Sequence, residues 1–448
     1  MSQLTAPLAG THDRFGAELR RRDYVTAVLA EVVRARGYER LAMPILERAS
    51  SFAEDVIGLS PWPEWHPAGV FHVEITDFAD GYRAVASSSR AVLIPEGTVP
   101  VARWLAGCLA GEGNLILPLK IFYDVPCHRN EPVDTLSATK RREFSQFGVE
   151  ILGAANPAAD VEILTVIRDG LVAVGVPPAA VRVRLNNVEI FNQVVGDCGL
   201  VGKATIALKE ILDALAECRA GKDPGRAAGL RAALAGLLDD RGVTGGRRAA
   251  CELLAGHASG YVDDRVRTTL GGAAREQLDA LAEMQAALVA VGIPVSVDFG
   301  VVRSHEYYTG LAFEVDVTTG AGTQVEIAGG GRYDKLVGHF LPPDGPAAVP
   351  STGFAFGVER VVATLAELGV FTGSAARTTV DRFDPASAEI LLVPPGGQGP
   401  VAGYLHARAA ADRLRPDRRV DIWVGDTADP TRIAGYTAAR HISEVRAC

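Results

Sequence analysis

The chain has 448 residues, 48% hydrophobic and 22% charged, enough apolar surface to fold over most of its length into two or three domains. Lys+Arg 45 against Asp+Glu 54 leaves −9, which excludes a protein whose whole task is to coat nucleic acid. No apolar run approaches ~18 residues, MSQLTAPLAG is no secretory leader, and the six scattered cysteines form no C-x-x-C. The expectation is a cytoplasmic protein with reduced thiols, no membrane partner and no structural metal site.

Taken in chain order, residues 20–37 place Val25, Val28, Leu29, Val32 and Val33 on one helical face, and Gly37 ends that helix. The segment YERLAMPILE (38–47) turns extended at Pro44. Residues 119–131 and 140–152 predict an antiparallel hairpin with a long polar tip. In its second strand Arg142, Phe144, Gln146, Gly148 and Glu150 share one face. The other face turns apolar toward its end, so a Gln and a Glu look out over a backed floor, the pattern of a site. Residues 200–293 are Ala-rich with helical spacing at Leu208, Ile211, Leu212, Leu215, and again at Leu278, Leu281, Met284, Leu288. Strands resume at 295–300, 311–318 and 324–328, followed by a strand, a glycine and a helix over 352–368. A linker at 371–387 leads to a strand–helix–strand–helix tail, a small α/β domain.

Arg129-Asn130-Glu131 closes an apolar strand, Arg303 lies within VVRSHEYYTG, and Arg360 follows Gly357 at a helix start. Guanidinium groups at the ends of core strands suit a polyphosphate, because the planar fork binds its oxygens bidentately. No G-x-x-x-x-G-K-[ST] is present, which excludes the P-loop, and the lack of a strand-borne G-x-G-x-x-G argues against the dinucleotide fold. The residues alone specify an anionic ligand on an antiparallel sheet.

In order, GTHDRFG (10–16), GYERLAMPILE (37–47), LIPEGT (93–98), RNE…KRREFSQFGVEILG (129–153), VVRSHEYYTGLAFEV (301–315), GGGRYDKLV (329–337) and TGFAFGVER (352–360) resemble the class II aminoacyl-tRNA synthetases, and within them the histidyl-tRNA synthetase family. The resemblance implies an α+β fold: an antiparallel sheet flanked by helices, with a helical insertion and a small α/β C-terminal domain. The corresponding divisions are 1–199 for the first part of the catalytic core, 200–293 for the insertion, 294–370 for the second part, and 388–448 for a short anticodon-binding-like domain. It also implies a homodimer through the Pro44 segment.

The implied activity is ATP-dependent activation of histidine to histidyl-adenylate, with Mg2+ on the nucleotide and tRNA as acceptor. The resemblance assigns Arg129 and Arg303 to the α-phosphate and Arg360 to the γ-phosphate side of ATP. Glu131 is assigned to the adenine, and Arg142 to the nucleotide site. Glu96, Thr98 and Gln146 would take the α-ammonium, and Glu150 and Tyr308 the imidazole. Tyr307, Tyr333, Gly329, Gly330 and Gly331 would line the pocket.

Departures bear on the acceptor. Ser304, His305 and Glu306 replace the family's Gly, Leu and Asp, and Ile94 stands where an Arg usually precedes PEG. The loop Pro132–Thr139 lacks the usual basic pattern. The tail is expected to stop short of the family's C-terminal domain. Over 388–448 it holds eight Arg against seven Asp+Glu, few charges for phosphate contacts. Two alternatives stay open: a paralogue activating an amino acid for a carrier protein or small molecule, and a non-catalytic regulatory subunit of ATP phosphoribosyltransferase.

Overall fold

Period-2 segments from both halves of the chain meet in one eight-stranded sheet. The computed structural model describes residues 6–57, 69–79, 83–111, 115–221, 223–256, 260–270, 272–301, 307–372, 388–395, 400–425, 429–440 and 442–448. In spatial order the strands are β1 (Glu39–Arg40), β5 (Leu119–His128), β6 (Glu143–Leu152), β11 (Ser351–Gly357), β10 (Gln324–Arg332), β9 (Leu311–Thr318), β7 (Val181–Asn187) and β8 (Val295–Val297). The outermost pairs, β1–β5 and β7–β8, are parallel, and every pair between them is antiparallel. A second, three-stranded antiparallel sheet, β2 (Leu46–Arg48), β4 (Arg83–Leu93) and β3 (His72–Ala79), runs in the order β2-β4-β3. The β3–β4 hairpin carries no clean period-2 pattern and is not among the expected strands.

Helix α1 (Ala17–Arg34) buries Val25, Val28, Leu29 and Val33. It ends three residues before the sequence reading, and Gly37 takes φ +79° in the turn that follows, a conformation open to glycine. On β6, Phe147, Val149 and Ile151 are buried, and Phe147 stacks on Phe122 at 5.6 Å. Helices α4 (Ala158–Ala173) and α11 (Val358–Glu367) pack against this strand. The expected hairpin therefore buries its apolar face under helices and turns its polar face the other way. On that other side, the short α2 (Glu54–Ile57) contributes Ile57, and α3 (Thr98–Ala110) contributes Val99, Val101 and Leu105, to a core with Ile94, Tyr123, Leu336 and Val337. Ile94 is fully buried there, a place that would not accept a charge.

Between β7 and β8 the chain forms α5 (Val188–Asp197), α6 (Lys203–Gly221), α7 (Pro224–Asp240), α8 (Gly245–Gly256), α9 (Asp264–Thr269) and α10 (Arg275–Ala290). They belong to one compact unit with the large sheet, Met1–Arg14 and Val25–Val370. Among the described residues no helix is long and apolar enough to cross a membrane.

The second unit comprises Phe15–Tyr24 and Phe371–Cys448. Its three-stranded sheet is parallel, with β12 (Ile390–Val393) between β13 (Val420–Ile422) and β14 (Glu444–Ala447). Ala407 and Ala411 of α12 (Pro400–Leu414) pack on Ile390, Leu392 and Ile422, small side chains that let helix and sheet approach closely. Helix α13 (Pro430–Arg440) is pinned by Tyr436, whose hydroxyl donates to Asp421 Oδ2 at 2.6 Å.

Candidate active site

The register of the central strands builds a floor of small residues. Gly148 of β6 lies opposite Ala355 of β11, and its neighbour row sets Glu150 opposite Gly353 and Gly353 opposite Gly331. With almost no side-chain volume on these rows, the sheet opens into a cavity of about 540 Å³. The spared space is also used by neighbours. A Cβ on Gly148 or Gly97 would run into the Tyr123 ring, and one on Gly353 would overlap Glu150 Oε2. A Cβ on Gly331 would meet Tyr308 Cδ1 at 2.9 Å. Gly330 faces the opposite way, where a Cβ would meet Phe313 and the Gly353 carbonyl, so Gly329 rather than Gly330 lines the cavity.

Glu96, Thr98, Gln146, Tyr307, Tyr308 and Tyr333 line the cavity. Glu96 is buried and caps α3: its Oε2 accepts from Thr98 N at 2.8 Å and its Oε1 from Val99 N at 2.6 Å. Burial pushes this carboxyl up from its ordinary value, while the two amide N–H groups, the Thr98 hydroxyl and Arg129 pull it back. Gln146 Oε1 accepts from Gly97 N at 2.9 Å, which ties the amide to the loop ahead of α3.

Glu150 does not line the cavity. It lies behind the wall, fully buried, and three hydroxyls converge on it. Tyr333 donates to Oε2 at 2.7 Å, and Thr98 and Tyr123 donate to Oε1 at 3.1 and 3.3 Å. Burial pushes its carboxyl up to about 8, the nearby Glu96 charge adding to the rise and the three hydroxyls opposing it. Of the two imidazole-site residues expected from sequence, Tyr308 lines the cavity and Glu150 is hydrogen-bonded by Thr98 and Tyr333 of its lining.

Cationic groups line the same cavity. Arg129 donates from Nε to Pro95 O at 3.1 Å and lies over the Phe144 ring at 5.1 Å. Arg360 donates to Glu326 O at 3.1 Å from the first turn of α11. Both line the cavity, as does Glu131, whose Oε2 is 3.1 Å from Lys140 Nζ. Arg142 does not. It donates from Nε to Glu131 O at 3.0 Å and packs over Gly10, so it braces the Arg129–Glu131 segment from outside. Its neighbour Arg141 takes the cavity side, held at His12. The sequence reading sets Arg142 on the site face by alternation within β6. The strand begins at Glu143, and in the loop before it alternation does not apply.

Lys140, Arg141 and Glu359 are cavity residues that sequence reading missed. Glu359, adjacent to Arg360, accepts from Ser145 N at 2.8 Å and pairs with Arg14 at 3.0 Å, tying α11 to β6 and to the N-terminal segment. That adjacency was the available signal. At the insertion side, Arg184 binds Asp316 at 2.7 Å and Glu314 at 2.6 Å, and all three reach the cavity. Arg303, Ser304, His305 and Glu306 lie outside the described residues. Among the described residues no group of three or more His, Cys, Asp or Glu side chains could hold a metal ion.

A cleft on an antiparallel sheet, floored by small residues and lined by hydroxyls, carboxylates and guanidinium groups, is the architecture of a class II synthetase-type protein. Solved structures share the fold. One described as an ATP phosphoribosyltransferase regulatory subunit/histidyl-tRNA synthetase from Bacillus halodurans C superposes with a TM-score of 0.71 at 18% identity, over 99% of this chain and 98% of that one. The apo histidyl-tRNA synthetase of S. aureus gives 0.59 at 22% identity, over 99% and 91%. Residues 80–361 match the family model of histidyl-tRNA synthetase, and the chain belongs to that family. Its curated relatives carry two names. An ATP phosphoribosyltransferase regulatory subunit of Moorella thermoacetica is 31% identical over 75% of each chain. A histidine–tRNA ligase of Picosynechococcus sp. is 30% identical over 82% of this chain and 74% of that one.

Proposed function

We propose that this cleft binds histidine and ATP and joins them as histidyl-adenylate, releasing pyrophosphate, with tRNA as the acceptor of the histidyl group. The observation that carries this reading is the lining of one cavity, which brings acceptor oxygens of Glu96, Thr98 and Tyr333 together with the Arg129 and Arg360 guanidinium groups. A bound amino acid would present its ammonium and ring N–H groups to the acceptors and its carboxylate toward the guanidinium groups.

Attack of that carboxylate on the α-phosphate gathers negative charge on the phosphoryl oxygens. Arg129 is anchored by Pro95 O and by the Phe144 ring, so it meets that charge without reorganising, a contribution of about 10²-fold. The attacking group is already ionised, and no general base is called for. By resemblance Arg303 joins Arg129 at the α-phosphate, and Mg2+ comes in as the counter-ion of ATP. The acceptor groups set specificity, since an analogue lacking N–H groups leaves buried acceptors unpaired. A homodimer through the β2-β4-β3 face fits its exposed Ile45, Leu46 and Ile75.

The regulatory-subunit name, borne by a relative as similar as the ligase, supports a second reading: histidine binding without adenylation, in complex with an ATP phosphoribosyltransferase. Histidine-dependent ATP–pyrophosphate exchange separates the two. Exchange followed by charging of histidine tRNA supports the ligase, and exchange without charging supports a different acceptor. Histidine binding with no exchange supports the regulatory subunit.

A further inference from the structure

Residues 8–14 form neither helix nor strand, yet they are fastened to the segments that carry both cavity guanidinium groups. Gly10 O accepts from Arg142 N at 2.9 Å and from Glu143 N at 3.4 Å, and Ala9 O accepts from Arg142 Nη1 at 3.4 Å. Arg142 O in turn accepts from Arg129 N at 2.9 Å. Gly10 takes φ +84°, and a Cβ there would press on Arg142 Cγ at 2.8 Å, so the chain lies flat on Arg142 only with glycine at this place. The segment thus braces the backbone of Arg129 from outside the cavity.

Arg14 makes the corresponding contact to Arg360. Its Nη2 donates to Glu359 Oε1 at 3.0 Å, and its Nη1 lies 3.9 Å from Glu143 Oε1. The other oxygen of Glu359 accepts from Ser145 N at 2.8 Å. Glu359 and Arg360 are neighbours in the first turn of α11, and Arg360 is itself anchored on Glu326 O at 3.1 Å. That turn is therefore held on β6 through Glu359 and on β10 through Arg360, which resists rotation about the helix axis. The Arg14 and Glu359 side chains are only 15% and 11% exposed, so solvent screens the pair weakly. Arg14 does not line the cavity, and it acts on a ligand there only through Glu359.

We propose that Arg14 is a positioning residue for nucleotide binding: by holding Glu359 in place it fixes the first turn of α11, and with it the direction from which Arg360 enters the cavity. This rests on the nucleotide half of the reading above and requires only ATP binding, not adenylation. Without Arg14, Glu359 keeps the Ser145 N–H but loses its charged partner. The turn gains freedom, and Arg360 must be ordered again when a phosphate arrives. The cost falls on the nucleotide alone, because the acceptors Glu96, Thr98 and Tyr333 are held by α3, β6 and each other rather than by α11.

The test is calorimetric titration of the full chain with ATP in the presence of Mg2+, and separately with L-histidine. Arg14→Ala should weaken ATP by roughly 3- to 10-fold and leave histidine unchanged. Arg14→Lys, which keeps the charge but not the planar fork, should lie between the two. Removing a positive charge near the phosphates would weaken ATP by itself, and a double-mutant cycle separates that effect from positioning. In a Glu359→Gln background Arg14→Ala should cause no further loss, since the pair is already broken. An equal loss in that background overturns the proposal, because a bare charge effect would persist there. Unchanged ATP affinity in Arg14→Ala overturns it too, as does an Arg14→Lys protein no better than Arg14→Ala. A matching loss of ATP and histidine with a lowered thermal midpoint also overturns it, because general loosening would produce that. If the wild-type protein binds no ATP, the nucleotide reading fails and the proposal goes with it.

Discussion

Gly353 offers a direct probe of the buried carboxylate. A methyl group there would occupy the place of Glu150 Oε2, and the residue sits mid-strand between β6 and β10, where the backbone has little room to retreat. Gly353→Ala therefore displaces the Glu150 side chain. The bond lost first is the shortest, from the Tyr333 hydroxyl at 2.7 Å, and the Thr98 bond at 3.1 Å shares the same carboxyl group. Leaving a buried polar group without its partner costs about 1–3 kcal/mol, so a loss of about 2 kcal/mol is a fair expectation. On the histidine reading that is roughly 30-fold in Kd for L-histidine, at 1.4 kcal/mol per tenfold. ATP affinity should change far less, since Arg129 and Arg360 are anchored elsewhere, on Pro95 O and Glu326 O. The assay is parallel titration with histidine and with ATP, and a thermal melt to confirm the fold. A Gly353→Ala protein that folds normally and binds histidine as tightly as wild type would refute the placement of Glu150 behind the wall.

Three further outcomes follow from the same geometry. The folded protein holds the Glu150 proton up to about pH 8, while the unfolded chain releases it near 4.5, so this group favours folding below that window. Its contribution is lost as pH rises through it, with a slope approaching 1.4 kcal/mol per pH unit. Urea midpoints at pH 5, 6.5 and 8 should decline more steeply in wild type than in Glu150→Gln. Arg129→Ala should cut histidine-dependent pyrophosphate exchange by about 10²-fold while leaving histidine affinity nearly unchanged. An unaltered exchange rate would remove Arg129 from the reaction. Arg332 binds Asp160 Oδ2 at 2.8 Å and Ala154 O at 2.9 Å, with both partners of the ion pair nearly buried. Arg332→Ala should cost about 3–5 kcal/mol in urea unfolding, because it strands Asp160 in the core.

Much of the framework is a property of the sequence alone. Strand β9 spans the expected 311–318, and Phe144 and Gln146 of the expected β6 face line the cavity, since side-chain alternation is local geometry. The α1 face and the Gly37 stop are equally local. The arginines at strand ends are legible as anion ligands because little else explains charge beside apolar strands, and Arg129 and Arg360 meet in one cavity.

What the tertiary structure decided is which of the plausible residues reach the ligand. Arg141 or Arg142, Gly329 or Gly330, and Glu150 on the wall or behind it are choices between neighbours of similar chemistry. They turn on cross-strand register and on where a strand begins, and both are set by packing between distant segments. Glu150 is drawn into the core because Gly353 leaves it room and because Tyr333, Thr98 and Tyr123, each from a different element, supply three donors there. A buried carboxyl needs such partners, and no local pattern in the chain announces that they will converge on it.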